Sequence, residues 1–288
     1  MPRSDFAVFI LTHGRPDRLR TYKALRNQGY TGRIVLVVDN EDSTLDQYIA
    51  EYGDEVVVFD KPKTAETVDA ADNFPGRGAI VFARNASYEI ADQLGIRYFV
   101  QLDDDYSGFS YRFDPHGNYR VTRIASLDRV FDAIVKFLID SNADCVCLSQ
   151  GGDFIGGPNG SNRIFENIKL LRKAMNSFFC DARKPIRFAG RMNEDVCTYA
   201  LEGSRGRLLL TTNQVSLTHL QSQSQPGPLS DLYASYGTYV KTFYTVMMQP
   251  SSVSIGLMGH KDQKRVHHMV RWAHTVPMIL REEHRRDD

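Results

Sequence analysis

The hydrophobic positions of the first hundred residues fall into short solid runs separated by amphipathic stretches. Residues 6–12 (FAVFILT), 33–39 (RIVLVVD) and 55–60 (EVVVFD) are apolar runs of strand length, the pattern of strands buried on both faces of a parallel sheet. Between them, Leu19, Tyr22 and Leu25 recur at helical spacing behind Pro16, and residues 45–52 predict a second helix closed by Gly53. A polar stretch leads through residues 73–78 (NFPGRG) to a helix predicted over 83–95, with Ala86, Ile90 and Leu94 on one face. A fourth apolar run, YFVQLDDD, follows at once. Strands alternating with helices imply an α/β fold whose parallel sheet is covered on both faces, with ligands bound beyond the carboxyl ends of the strands.

Past Asp105 the pattern changes. Residues 109–121 predict a hairpin turning at 115–118, and residues 126–141 an amphipathic helix with Ser126 as its N-cap. A further strand over 144–150 runs into a glycine-rich loop, and Glu194 and Asp195 fall at a loop-to-helix junction. Residues 218–231 (THLQSQSQPGPLSD) are polar and bear Pro and Gly, as a lid over a site would. The tail, KDQKRVHHMVRW and onward, predicts a basic helix ending near Pro277.

With 42% hydrophobic and 24% charged residues, the 288-residue chain has the composition of an ordinary globular protein with a sizeable core. Its longest apolar runs are strand-length, so no membrane span is expected. The first residues enter a strand without a leader pattern, which makes a cytoplasmic location the expectation. Cys145, Cys147, Cys180 and Cys197 show no C-x-x-C spacing and are expected to be core thiols. A net charge of zero conceals segregation: eleven acidic residues face two lysines over 39–72, and eight basic residues face two acidic ones over 163–191. A polyanion would be expected to meet the second segment.

The chemistry starts at the end of the fourth apolar run. Asp103, Asp104 and Asp105 crowd three like charges where desolvation is costly, which a solvated turn or a bound divalent cation would relieve. Alternation along an extended segment puts Asp103 and Asp105 on one side, able to share a hard cation such as Mn²⁺ or Mg²⁺. The first strand is followed by THGRPD rather than G-x-G-x-x-G, which excludes a dinucleotide-dependent dehydrogenase.

The strand ends FILTHGRPDRL, VLVVDNED, GAIVFARNAS and FVQLDDDY, taken together, resemble the nucleotide-sugar half of a GT-A glycosyltransferase. With FAGRMNEDVCTY, GTYVKTFYTVM and VHHMVRW, the whole chain resembles the phage glycosyltransferases associated with TET-type dioxygenases, relatives of the enzyme that completes base J. That resemblance implies a GT-A fold, with residues 1–105 as the nucleotide-sugar half and 106–288 as the acceptor and catalytic half of the same domain. It implies transfer from a UDP-sugar, UDP-glucose first, to a hydroxymethylated pyrimidine (5-hydroxymethylcytosine or 5-hydroxymethyluracil) in duplex DNA, the base being reached in the groove or flipped out.

Carried over residue by residue, the resemblance makes Asp103 and Asp105 metal ligands, with Asp104 beside them at the donor. Asp39 becomes the uracil- or ribose-binding aspartate, against a plain helix-capping role. Thr12 and Arg15 frame the base and phosphates after the first strand, and His13 is counted with the donor residues, against a plain role as a strand-end residue near the pocket. Arg84 holds a phosphate beside a helix N-terminus, with Asn85 next to it and Arg77 as a weaker second cation. Asp195 is expected to be the base that takes the acceptor's proton in an inverting displacement, with Glu194 next, against a role in capping the helix. A third metal ligand is sought between His219 and the pair His267/His268, and the family-like block favours His267. Trp272 is expected in the core. A saccharide, protein or lipid acceptor would keep every donor residue, and an inactive nucleic-acid-binding scaffold is the non-enzymatic alternative.

Overall fold

In the computed structural model, the described residues are 3–74, 76–154, 157, 164–170, 174–175, 177–219, 239–259, 264–275 and 281–285. The predicted lid over 218–231 therefore lies almost wholly outside them, as do Pro277 and three of the basic residues, Arg163, Arg172 and Lys173.

The first half follows the hydrophobic pattern closely. β1 (Phe6–Leu11) leads to a 3-10 turn at Pro16–Arg18 and α1 (Arg20–Asn27), then β2 (Arg33–Asp39), α2 (Leu45–Tyr52) and β3 (Val56–Phe59). α3 (Lys61–Ala65) and α4 (Ile80–Gln93) precede β4 (Tyr98–Asp103). Along β1, Phe6, Val8 and Ile10 enter one core with β2, β4, α1 and the later helix α5 (Leu127–Asp140). Ala7, Phe9 and Leu11 enter a second core against α4. That two-sided burial is why these strands read as solid apolar runs. α4 starts at Ile80, three residues before the expected 83, so Arg84 and Asn85 lie in its second turn and not at its N-terminal amides.

β5 (Tyr106–Phe113) and β6 (Tyr119–Arg123) form the predicted hairpin, its turn held by the Asp114 carbonyl and carboxylate. Ser126 sits at the N-cap of α5 but makes no side-chain cap; Leu127 N donates instead to Gln28 O at 2.9 Å. β7 (Cys145–Ser149), β8 (Ile168–Lys169), β9 (Ser177–Asp181), α6 (Glu194–Ser204), β10 (Leu209–His219) and α7 (Val240–Met248) follow. All four cysteines are free and buried.

The tail departs from expectation. Val253–Met258 (β11) and Arg265–Val270 (β12) pair as an antiparallel ribbon, and only Trp272–Thr275 (α8) is helical. Charge spacing in RVHHMVRW mimics a helix face, but Val266, His268 and Val270 alternate, and β11 provides the ladder that a strand requires. Trp272 packs edge-on against Tyr199 with ring centroids 5.4 Å apart, within the second core.

The main sheet runs β3-β2-β1-β4-β9-β7-β10-β5-β6, with β8 beside β10. β1 to β4 form a parallel block; β9 is antiparallel to both its neighbours. Three strands lie between β4 and β5, a gap of roughly 19 Å if flat. Yet the chain passes from Asp103 to Tyr106 in three steps, at most about 11 Å. The sheet must therefore coil. β10 supplies the bend: it pairs with β7 up to Thr212, breaks register before Ser216, then pairs with β5. This curl brings the β4 terminus, the start of β5 and the end of β10 to one place. Among the described residues, no helix is long and apolar enough to cross a membrane.

Candidate functional site

Three elements converge at the turn between β4 and β5. Asp104 points inward and is 4% exposed. Thr12 Oγ1 donates to Asp104 Oδ2 at 2.7 Å, so the Tyr48 hydroxyl, 2.8 Å away, donates to Thr12, and Arg15 N donates to Tyr48 at 2.9 Å. Burial pushes the Asp104 carboxyl up to about 6, against the opposing pull of Arg15 and Thr12. The middle aspartate thus anchors the loop after β1. The turn itself hangs on Thr21, whose hydroxyl donates to Asp103 O at 2.6 Å and accepts from Tyr106 N at 2.9 Å.

Asp103 and Asp105 are the half-buried members of the triplet. Burial, then the neighbouring Asp103 charge, raises the Asp105 carboxyl, while His219 and Arg15 pull it down. His219 ends β10 opposite Tyr106, one residue past Asp105. Two carboxylates and an imidazole at adjoining strand ends form an oxygen-rich donor set of the kind that hard divalent ions take.

Arg84 ties this cluster to the next. It is 1% exposed, with Nη2 2.9 Å from Asp103 Oδ1 and Nε 3.0 Å from Glu194 Oε1. Its guanidinium lies over Phe178 at 4.9 Å, and its Nη1 finds no hydrogen-bond acceptor among the described residues. Desolvation works against the cation, but Asp103 and Glu194 outweigh it and raise its pKa further. Sequence reasoning placed Arg84 on a phosphate; here it joins two carboxylates. Asn85 is a clamp as well: its amide donates to Val81 O and Phe188 O, and Phe188 N donates to its Oδ1 at 3.1 Å.

Glu194 and Asp195 open α6 and are both buried. Burial raises the Glu194 carboxyl, Arg84 opposes this, and the Asp195 and Asp103 charges reinforce it. The preceding Asn193 takes a left-handed conformation (φ 53°) and sends Nδ2 to Lys241 O at 2.8 Å and to His268 Nδ1 at 3.3 Å. Lys241 is depressed by burial and by Arg265, with the Asp195 charge opposing. His268 therefore supports the Asn193 turn, and the His267 ring lies 4.2 Å from it on β12.

At the end of β2, Asp39 is buried and crowded by donors. His13 Nδ1 lies 2.7 Å from its Oδ2, and Lys61 Nζ lies 3.2 Å from its Oδ1. Desolvation would raise this carboxyl, but His13 and Lys61 outweigh it and hold it below the usual range. Asp42, also buried, accepts from Gly14 N at 2.7 Å and from Thr44. Arg77 pairs with Glu41 beside this end of the sheet.

Sequence reasoning missed Lys61, Asp42, Tyr48, Thr21, Asn193 and Lys241, all of which act through partners distant in sequence. Lys61, directly after a strand-end aspartate, and Asp42, in the strand end VLVVDNED, stood where a signal could be read. Among the described basic residues of 163–191, Lys169 and Arg191 are buried while Arg183 and Arg187 are exposed, and Arg191 grips Asp72 of the acidic segment through two bonds of 2.7 and 2.8 Å.

A coiled mixed sheet with a parallel N-terminal block, ending in paired carboxylates beside a helix that opens on two more, is the architecture of a GT-A glycosyltransferase. The chain belongs to the TET-associated glycosyltransferase family, whose model matches residues 6–227. No curated protein matches the sequence. Among solved structures, a mannosyltransferase from Pyrobaculum calidifontis in complex with GDP-Man and Mn²⁺ aligns with a TM-score of 0.50 at 12% identity, over 86% of this chain and 65% of that one. Glucosyl-3-phosphoglycerate synthase from Mycobacterium tuberculosis, in complex with Mg²⁺ and UDP, aligns with a TM-score of 0.46 at 11% identity, over 92% and 87% of the two chains. At such identities the likeness speaks for the fold alone.

Proposed function

We propose that this glycosyltransferase moves a hexose, glucose first, from a UDP-sugar to the hydroxyl of 5-hydroxymethylcytosine or 5-hydroxymethyluracil in duplex DNA. The observation that carries the reading is the Arg84 bridge, which puts the strand-end carboxylates and the Glu194–Asp195 pair into one site. The family supports the DNA acceptor. The GDP-Man and Mn²⁺ bound by the Pyrobaculum mannosyltransferase support a nucleotide-sugar donor and a divalent ion.

In this reading Asp103 and Asp105 hold Mn²⁺ or Mg²⁺, and His219 is preferred to His267 as a third ligand because the β5–β10 register sets it beside Asp105. When bound, the ion supplies positive charge to the departing diphosphate. Arg15 and the buried Thr12–Asp104 pair shape the loop against which the phosphates rest. Asp195, at the first turn of α6, takes the proton from the acceptor hydroxyl as it attacks the anomeric carbon from the face opposite the leaving diphosphate. Inversion is the consequence. Glu194, held by Arg84, sets the orientation of that helix turn.

The test incubates the protein with Mn²⁺, UDP-glucose and duplex DNA carrying either modified base, and weighs the digested nucleosides by mass spectrometry. A hexose-sized gain on one base, absent with Asp105→Ala, is the expected result. Donor hydrolysis without gain on DNA would move the acceptor to a saccharide or protein. No hydrolysis with any of a panel of UDP-sugars would leave a binding scaffold.

A further inference from the structure

The two ring nitrogens of His13 stand in different surroundings. Nδ1 faces Asp39 Oδ2 at 2.7 Å and Asp42 Oδ2 at 3.5 Å. Asp39 also takes Lys61 Nζ at 3.2 Å and Glu41 N at 3.1 Å on its other oxygen. A carboxylate surrounded by these donors stays ionised and can only accept, so the imidazole proton resides on Nδ1. In the neutral form of a ring so held, Nε2 is the acceptor. The His13 side chain is 34% exposed and the Asp39 side chain 5%, so the histidine is the group offered to a ligand.

The place of the pair along the sheet indicates which ligand atom it meets. β1 lies between β2 and β4, which sets Asp39 two strand spacings, roughly 10 Å, from the carboxylates ending β4. A donor whose diphosphate sits at Asp103 and Asp105 would extend its ribose and base along the strand ends toward His13.

We propose that His13 determines the donor's base: its Nε2 accepts the N3–H of uracil, while Asp39, Asp42 and Lys61 hold the ring in the tautomer that can do so. This rests on the UDP-sugar reading above. Cytosine carries a lone pair at N3 in place of a hydrogen, so it would set two acceptors against each other and be rejected. Asp39 is then a positioning residue, not the group that touches the base.

Isothermal titration calorimetry of the full chain in Mn²⁺ tests this with UDP, N3-methyl-UDP, CDP and 2′-deoxy-UDP. The wild type is expected to bind UDP about tenfold or more tightly than N3-methyl-UDP or CDP, the difference made by one hydrogen bond and its unpaired counterpart. His13→Phe should bring UDP and N3-methyl-UDP to equal affinity. Asp39→Asn can donate to Nδ1 and move the ring proton to Nε2, so it should shift preference from UDP toward CDP, an inversion that general damage to the fold would not produce. Equal wild-type affinity for UDP and N3-methyl-UDP overturns the proposal while leaving the UDP donor intact. Discrimination against 2′-deoxy-UDP alone would place the imidazole on the ribose and overturn it too. A protein that binds no UDP removes both this assignment and the donor reading.

Discussion

At the scale of single residues, Arg84 is the group on which the site depends most. It is fully buried between Asp103 and Glu194, so removing it leaves two carboxylates without their cation. Breaking a buried pair from one side costs about 3–5 kcal/mol. Arg84→Met is therefore expected to lower unfolding free energy by about that amount in urea titrations, and to abolish transfer. Arg84→Lys should recover part of the stability and little of the activity, because an ammonium cannot present the planar fork that reaches both carboxylates. Its aliphatic stem would still fill the space against Phe178 and Phe188. Stability retained in Arg84→Met would mean that the two carboxylates are held independently of it.

At the scale of elements, the segment between α3 and α4 is polar, yet it is not loose. Gly190 N and Arg191 N donate to Asp69 O and Ala70 O at 2.8 and 2.9 Å. Arg191 also grips Asp72, which accepts from the Tyr244 hydroxyl as well. This clasp fixes the turn that leads into Glu194 and Asp195. Asp72→Ala leaves Arg191 buried without its carboxylate. Amide exchange at Gly190 and Arg191 is expected to quicken by a factor of ten or more, equivalent to about 1.4 kcal/mol of lost local stability, while the β1 and β2 amides stay protected. Unchanged exchange at those two amides would show that the backbone bonds hold the clasp alone. An acidic segment thus carries part of the architecture that holds the start of α6.

At the scale of the whole molecule, coiling of the sheet is what makes a site. It carries His219 from the end of β10 to the carboxylates after β4, and Arg84 reaches from there to α6. A ligand that neutralises Asp103 and Asp105 should therefore stabilise the entire fold. With Mn²⁺ and UDP each at about a hundred times its dissociation constant, each site contributes about 2.7 kcal/mol. That corresponds to a rise of roughly 5 °C or more in melting temperature for a chain of this size. Differential scanning calorimetry should show this rise in wild type and not in Asp105→Ala. An equal rise in both proteins would remove Asp105 from the metal site.

The sequence by itself determined the parallel block, the two-sided core and the carboxylates at the end of the fourth strand. Those features are local: strand burial imprints solid apolar runs, and strand ends bring polar residues to a predictable edge. It also carried the Glu194–Asp195 pair, legible at a loop-to-helix junction. Only the tertiary structure decided how these pieces meet. Which histidine approaches Asp105 depends on a register shift in β10, and no periodicity announces that shift. The tail became a strand because β11 was present to pair with it, whereas its charge spacing suggested a helix. Arg84 joins two motifs 110 residues apart, and Arg191 joins the segments that composition had set against each other. Buried charges are stable only with partners close in space, and sequence distance does not encode where those partners are.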